Sequence, residues 1–126
     1  RKYIFSTAMP PAQAAGLIKS SELVEGMSSA REHLRELSKY LREELKNMGL
    51  NTLTSSTQII PIVIGDEKKT MLACSLMRDR NIYTPAVIWP ATSRGQGRLR
   101  VSLISNHTKD DVDQLLSNIS EVVRQI

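Results

Sequence analysis

The stretch Arg98-Leu99-Arg100-Val101-Ser102-Leu103 follows the loop Pro90-Ala91-Thr92-Ser93-Arg94-Gly95-Gln96-Gly97. Its apolar residues alternate, so Leu99, Val101 and Leu103 take one face of a strand and Arg98, Arg100 and Ser102 the other. A guanidinium keeps its charge near neutrality and presents a planar fork of donors that matches a carboxylate. Arg100, fixed on a strand behind a glycine-loosened loop, is therefore a candidate carboxylate anchor. The alternative is a solvated outer sheet face, since arginine is seldom buried without a partner.

Other reactive residue types carry less. Cys74 is the only cysteine and lies among Met71, Leu72, Ala73, Leu76 and Met77. A small buried hydrophobe is expected there, because apolar surroundings disfavour the thiolate. A lone cysteine allows no internal disulfide, and a reducing, cytoplasmic location is the expectation. His107 directly precedes a helix cap and reads as a hydrogen-bonded structural histidine. No metal site is expected.

The net charge of +4 invites a nucleic-acid reading, but the basic residues are scattered and mostly sit beside acids, as in Arg31-Glu32, Arg35-Glu36 and Arg42-Glu43-Glu44. One Phe, one Trp and three Tyr offer few stacking platforms, so neither a basic stripe nor an aromatic sheet face is present. At 126 residues, 40% apolar and 24% charged, the chain fits one soluble domain. No apolar run reaches the roughly 18 residues that span a bilayer, and the start lacks a signal-peptide pattern. The chain opens without methionine, on an apolar stretch, and is expected to be part of something larger.

The elements that must position these groups follow from periodicity. Pro10-Pro11 marks a helix start, and a small-residue helix from Ala12 to Val24 ends at Gly26. Ser29 with Glu32 has the form of a capping box and opens a second helix. There Leu34, Leu37, Leu41, Leu45 and Met48 recur at helical spacing, with Gly49 at C′. The β-branched run 59–64 predicts a strand, and its Pro61 requires one side to lack a hydrogen-bonding neighbour. Residues 67–80 predict a helix with Leu72, Leu76 and Met77 inward and Asn81 as its stop. Strands are expected over 82–89 and 98–104. Thr108 with Asp111 caps a last helix, whose Val112, Leu115, Leu116, Ile119, Val122, Val123 and Ile126 form one stripe. The expected fold is α+β: a three-stranded antiparallel sheet, third strand in the middle, with helices packed on one face.

Two stretches go beyond architecture. Phe5-Ser6-Thr7-Ala8-Met9-Pro10-Pro11-Ala12-Gln13-Ala14 resembles a motif of the α-oxoamine synthases, pyridoxal-phosphate enzymes that condense an amino acid with an acyl-coenzyme A and release carbon dioxide. Residues 98–103, Asn106-His107-Thr108 and the helix from Asp110 to Leu116 resemble the same family's C-terminal signature, and the 59–66 strand and the spacing between them also fit. The resemblance implies the small C-terminal domain of a fold-type I pyridoxal-phosphate enzyme: residues 1–25 as the linker helix from a large domain, 26–126 as the small domain. It implies that Arg100 grips the amino-acid carboxylate and that Thr92 contacts substrate near the cofactor. Thr7, with Ser6, would touch the cofactor phosphate of the partner subunit in a homodimer. Arg98 is expected in a structural ion pair.

The lysine and aspartate that hold the cofactor lie, in that family, in the large domain. None of Lys19, Lys39, Lys46, Lys68, Lys69 or Lys109 sits in a matching motif, so this chain alone is expected to be inactive and not to bind the cofactor. The biotin-pathway branch, to which the likeness is nearest, usually has arginine where Trp89 stands. Loss of that cation, with the Pro90-Ala91-Thr92-Ser93 loop, favours an apolar acyl chain and resembles the autoinducer-synthase branch. Leu23, Val24 and the apolar side of the first helix are expected to face the large domain. A rival of another class is a stand-alone module that captures a small carboxylate through Arg100.

Overall fold

A computed structural model describes Ile4 and residues 7–126. Its element order is α1 (Pro11–Gly26), α2 (Ser28–Asn47), β1 (Ile59–Gly65), α3 (Glu67–Asp79), β2 (Ala86–Val87), β3 (Gly97–Ser102) and α4 (Lys109–Gln125). The chain divides into two units, 1–32 and 33–126, at a point inside α2.

In the first unit, α1 has Pro11 in its first turn, where a missing N–H is harmless. It buries none of its residues, and Leu17, Ile18, Leu23 and Val24 are all exposed. The Met27 carbonyl accepts the first bond of α2, from the Arg31 N–H at 3.1 Å. Met27 is therefore the cap residue, and Ser29 lies inside the helix instead of capping it.

The second unit is built on the sheet order β1-β3-β2, all antiparallel, as the fold class requires. Ile60 pairs with Val101 and Ile62 with Leu99 on the inward face. Against them pack Leu37, Leu41 and Leu45 of α2, Ala73, Cys74 and Met77 of α3, and Val112, Leu115, Ile119 and Val122 of α4. Each fully buried aliphatic chain contributes roughly 1.5–3 kcal/mol. On the opposite face Pro61 pairs with Arg100 and Val63 with Arg98. Arg100 donates its N–H to the Pro85 carbonyl at 2.9 Å, away from β1. Pro61 thus sits in a non-hydrogen-bonded pair on an edge strand, where its absent donor costs the ladder nothing.

The helix ends are closed by local chemistry. Gly49 at φ 78° ends α2, with Leu50 N–H donating to Leu45 O and Gly49 N–H to Lys46 O, both at 2.9 Å, the Schellman pattern. Asp66 caps α3 by accepting from the Lys69 N–H at 2.9 Å, and Asn81 stops it at φ 61°. Thr108 and Asp111 form the expected capping box of α4.

Two further expectations are corrected. Leu72 does not point inward: it is 48% exposed. The buried face of α3 is Thr70, Ala73, Cys74 and Met77, the same helical period rotated by about one residue, because small side chains let the helix approach the sheet near Gly97. The strand expected over 82–89 shrinks to Ala86–Val87. Pro85 and Pro90 bracket it without donors, and the chain turns where Ala91 N–H bonds the Ile88 carbonyl at 2.9 Å.

Candidate functional site

The alternation read from β3 is realised: Gly97, Leu99 and Val101 are buried, Arg98 is half-buried and Arg100 exposed. β3 is hydrogen-bonded on both sides, so the Arg100 backbone is held rigidly while its side chain is left outside the core. Among the described residues the Arg100 guanidinium makes no hydrogen bond or ion pair. It is an uncommitted cation on a fixed strand, which suits an anionic ligand. Neither of two surface cavities, about 280 Å³ beside the α4 N-terminus and about 320 Å³ near Met48 and Val123, is lined by Arg100 or Thr92.

The loop before β3 is tied down at several points. Arg98 Nη2 donates to Thr92 Oγ1, and Arg98 Nε donates to the Gln96 carbonyl at 3.0 Å. The ion pair expected for Arg98 is therefore replaced by bonds to its own loop, which a local sequence reading had no carboxylate-free reason to prefer. Thr92 is half-buried, accepts from Arg98 and lies 3.4 Å from the Gln96 carbonyl. The Gly95 N–H donates to Glu67 Oε1 at 2.9 Å, anchoring the loop on the first turn of α3. Gly95 takes φ 69°, a region that suits glycine. The structure thus brings Thr92 and Arg98 together and places Arg98 and Arg100 on one strand face.

Thr7 is exposed and precedes Pro10, the N-cap of α1; it belongs to the first unit. Ser6 lies outside the described residues. His107 is structural as expected: its Nδ1 accepts from the Ile104 N–H at 3.2 Å, and its carbonyl lies 2.9 Å from His33 Nε2. Cys74 is buried in the core.

Sequence reasoning missed two clusters. Arg94 lies over the exposed Trp89 ring, 5.0 Å from its centroid. Trp89 is the larger signal, being the one tryptophan, but no sequence rule pairs it with a residue five positions on in a loop. Tyr40 donates its hydroxyl to Asp113 Oδ1 at 2.5 Å, and Lys109 sits 3.4 Å from Asp113 Oδ2 and over the Tyr40 ring. The Tyr40 hydrogen bond holds the Asp113 carboxyl below the usual range. The same bond raises the Tyr40 hydroxyl, and Asp113 raises the Lys109 ammonium. No sequence signal joins α2 to α4 in this way.

Every described lysine is exposed, and Lys19 and Lys39 pair with Glu22 and Glu43. In the second unit Thr92 and Arg100 present a half-buried hydroxyl and an exposed guanidinium on neighbouring parts of the chain.

Three antiparallel strands with the last in the middle and helices on one face match domains of fold-type I pyridoxal-phosphate enzymes among solved structures. A serine palmitoyltransferase from Sphingomonas wittichii matches 96% of this chain at TM-score 0.87 and 26% identity, over 31% of its own length. An SPT solved with PLP matches 98% at TM-score 0.89 and 26% identity, again over 31% of its length. The model of the family "aminotransferase class I and II" matches residues 1–119, and the chain belongs to that family. The 8-amino-7-oxononanoate synthase 2 of Bacillus subtilis is 34% identical over all 126 residues, which span 32% of that protein. The chain therefore covers about a third of the length of the curated relatives it matches.

Proposed function

We propose that this chain is the C-terminal part of a pyridoxal-phosphate acyltransferase of the 8-amino-7-oxononanoate synthase type, in the biotin pathway. The enzyme condenses an amino acid with an acyl-coenzyme A, with loss of carbon dioxide. The observation that carries the reading is the unpaired Arg100 guanidinium on a doubly hydrogen-bonded strand, within a chain whose full-length relatives bear that name. Residues 1–25 serve as the linker from a large domain, and 26–126 as the small domain. The intact protein is a cytoplasmic homodimer in this reading; among the described residues no helix is long and apolar enough to cross a membrane.

Arg100 receives the amino-acid carboxylate in a bidentate pair and so fixes the orientation of the bonds at Cα. Thr92, oriented by Arg98, lines the same loop and contacts substrate. Thr7 and Ser6 supply hydroxyls to the cofactor phosphate of the partner subunit. Pyridoxal phosphate, when bound through a lysine of the large domain, supplies the electron sink for the carbanion. The exposed Trp89 favours a second reading within the family, the autoinducer-synthase type that accepts fatty acyl chains.

The test uses the intact enzyme that contains this chain, with alanine and either pimeloyl or decanoyl thioester. Arg100→Gln should raise KM for the amino acid by about 10- to 100-fold, the value of a charge-assisted bond of about 1.5–3 kcal/mol. An unaltered KM refutes the role of Arg100. Turnover of decanoyl but not pimeloyl thioester assigns the second reading, and no turnover of either refutes both.

A further inference from the structure

The loop ahead of β3 is held by two kinds of bond. Within its own stretch, the Ala91 N–H donates to the Ile88 carbonyl at 2.9 Å and the Gln96 N–H to the Ser93 carbonyl at 3.1 Å. Arg98 donates to Thr92 and to the Gln96 carbonyl. All of these stay within residues 88–98. Among the described residues, one hydrogen bond alone ties residues 91–96 to a part of the chain distant in sequence: the Gly95 N–H donates to Glu67 Oε1 on α3 at 2.9 Å. The acceptor is a half-buried carboxylate, and an ionised acceptor makes the stronger class of hydrogen bond. The backbones also approach closely there. A Cβ at Gly65, two residues before Glu67, would lie 3.6 Å from the Gly95 carbonyl oxygen.

What this bond fixes lies beside the open cation. Arg98 and Arg100 share one face of β3, and Arg98 draws the Thr92 hydroxyl toward that face. The Arg100 guanidinium is uncommitted there among the described residues. The loop is thus hung from β3 at Thr92 and from α3 at Gly95. We infer that Glu67 is a positioning residue for substrate binding: its carboxylate, by holding Gly95, keeps the Thr92 hydroxyl in place beside Arg100. The inference rests on the proposed acyltransferase reading, in which Thr92 and Arg100 meet substrate, and adds to it a residue from another element. Glu67 acts through Gly95 and touches no reacting atom. Gly95 is exposed, so without Glu67 its N–H turns to water and the core stays packed. What is lost is the order of the loop, which substrate binding must then restore.

The experiment measures kcat/KM for alanine in the intact enzyme, with whichever of pimeloyl- and decanoyl-coenzyme A the parent turns over. It compares the parent with Glu67→Ala, Glu67→Gln, Thr92→Ala and the Glu67→Ala, Thr92→Ala double variant. Glu67→Ala should lower kcat/KM by about tenfold, mainly through KM, as a displaced binding group does. Glu67→Gln should recover it to within about threefold of the parent, because the amide oxygen still accepts from Gly95. That variant also removes the negative charge at the α3 N-terminus, which separates the loop bond from a helix-dipole effect. In the Thr92→Ala background Glu67→Ala should cost no more than about twofold, since the loop has nothing left to position. The inference is overturned, and the acyltransferase reading left intact, if E67A keeps the parent kcat/KM while T92A loses it. The same holds if the two losses multiply, or if E67Q is as impaired as E67A. A parent that turns over substrate with no loss in T92A overturns the role of Thr92 and this inference together. No turnover by the parent overturns the whole reading.

Discussion

Gly97 is the position where one methyl group tests the packing that fixes β3 and therefore Arg98 and Arg100. A Cβ built there would lie 2.4 Å from Thr70 Oγ1, 3.1 Å from the Gly65 carbonyl oxygen and 3.2 Å from Thr70 Cβ. Ordinary contact is about 3.5 Å, so the first of these cannot stand. Thr70 is fully buried, and its hydroxyl donates to the Asp66 carbonyl at 2.7 Å. Turning the hydroxyl away would strand it, and the Gly65 carbonyl is backbone that no rotamer can move. Overpacking of this kind costs about 1–3 kcal/mol. Removing a glycine from a strand returns about 0.5–1 kcal/mol. Gly97→Ala should therefore destabilise by about 1–2 kcal/mol.

Thr70→Ala removes the closest atom of the clash. Alone it should cost about 1 kcal/mol, for one lost hydrogen bond, since the Asp66 carbonyl still accepts the Thr70 N–H at 2.9 Å. In the double variant the alanine at 97 should cost less, with a coupling of about 1 kcal/mol or more. Urea denaturation of the four proteins measures the cycle. If Gly97→Ala costs as much in the Thr70→Ala background as in the parent, the proposed contact between α3 and β3 is wrong.

Three further outcomes follow from the same structure. Tyr40→Phe should flatten the pH dependence of stability at both ends. The depressed Asp113 carboxyl contributes stability above its unfolded pKa that is lost as pH falls through its folded value. The raised Tyr40 hydroxyl contributes stability below its unfolded pKa that is lost as pH rises through its folded one. Urea midpoints across acid and alkaline pH check this, and an undiminished alkaline fall in the variant refutes it. Leu41→Ala, at a fully buried position, should cost about 2–5 kcal/mol, whereas Leu72→Gln should stay within about 0.5 kcal/mol. A large loss at Leu72 would mean that α3 is rotated toward the face its sequence pattern favoured.

The sequence alone determined what is local or strictly periodic. The α4 stripe and its Thr108–Asp111 box are encoded within a few residues, as are the Gly49 stop and the alternation that puts Arg98 and Arg100 opposite Leu99 and Val101. Pro61 marked an edge strand because a missing donor is a local fact with a fixed topological meaning. Only the tertiary structure decided what depends on a distant partner. The length of β2 is set by how far β3 accompanies it between two prolines, and the inward face of α3 by which side chains are small enough beside Gly97. The bond of Arg98 to Thr92, the position of Arg94 over the Trp89 ring, and the Tyr40–Asp113 link all hinge on where loops and helices finally lie. Hydrogen bonds and ring contacts act over a few ångströms, and only folding brings residues far apart in the chain within that range.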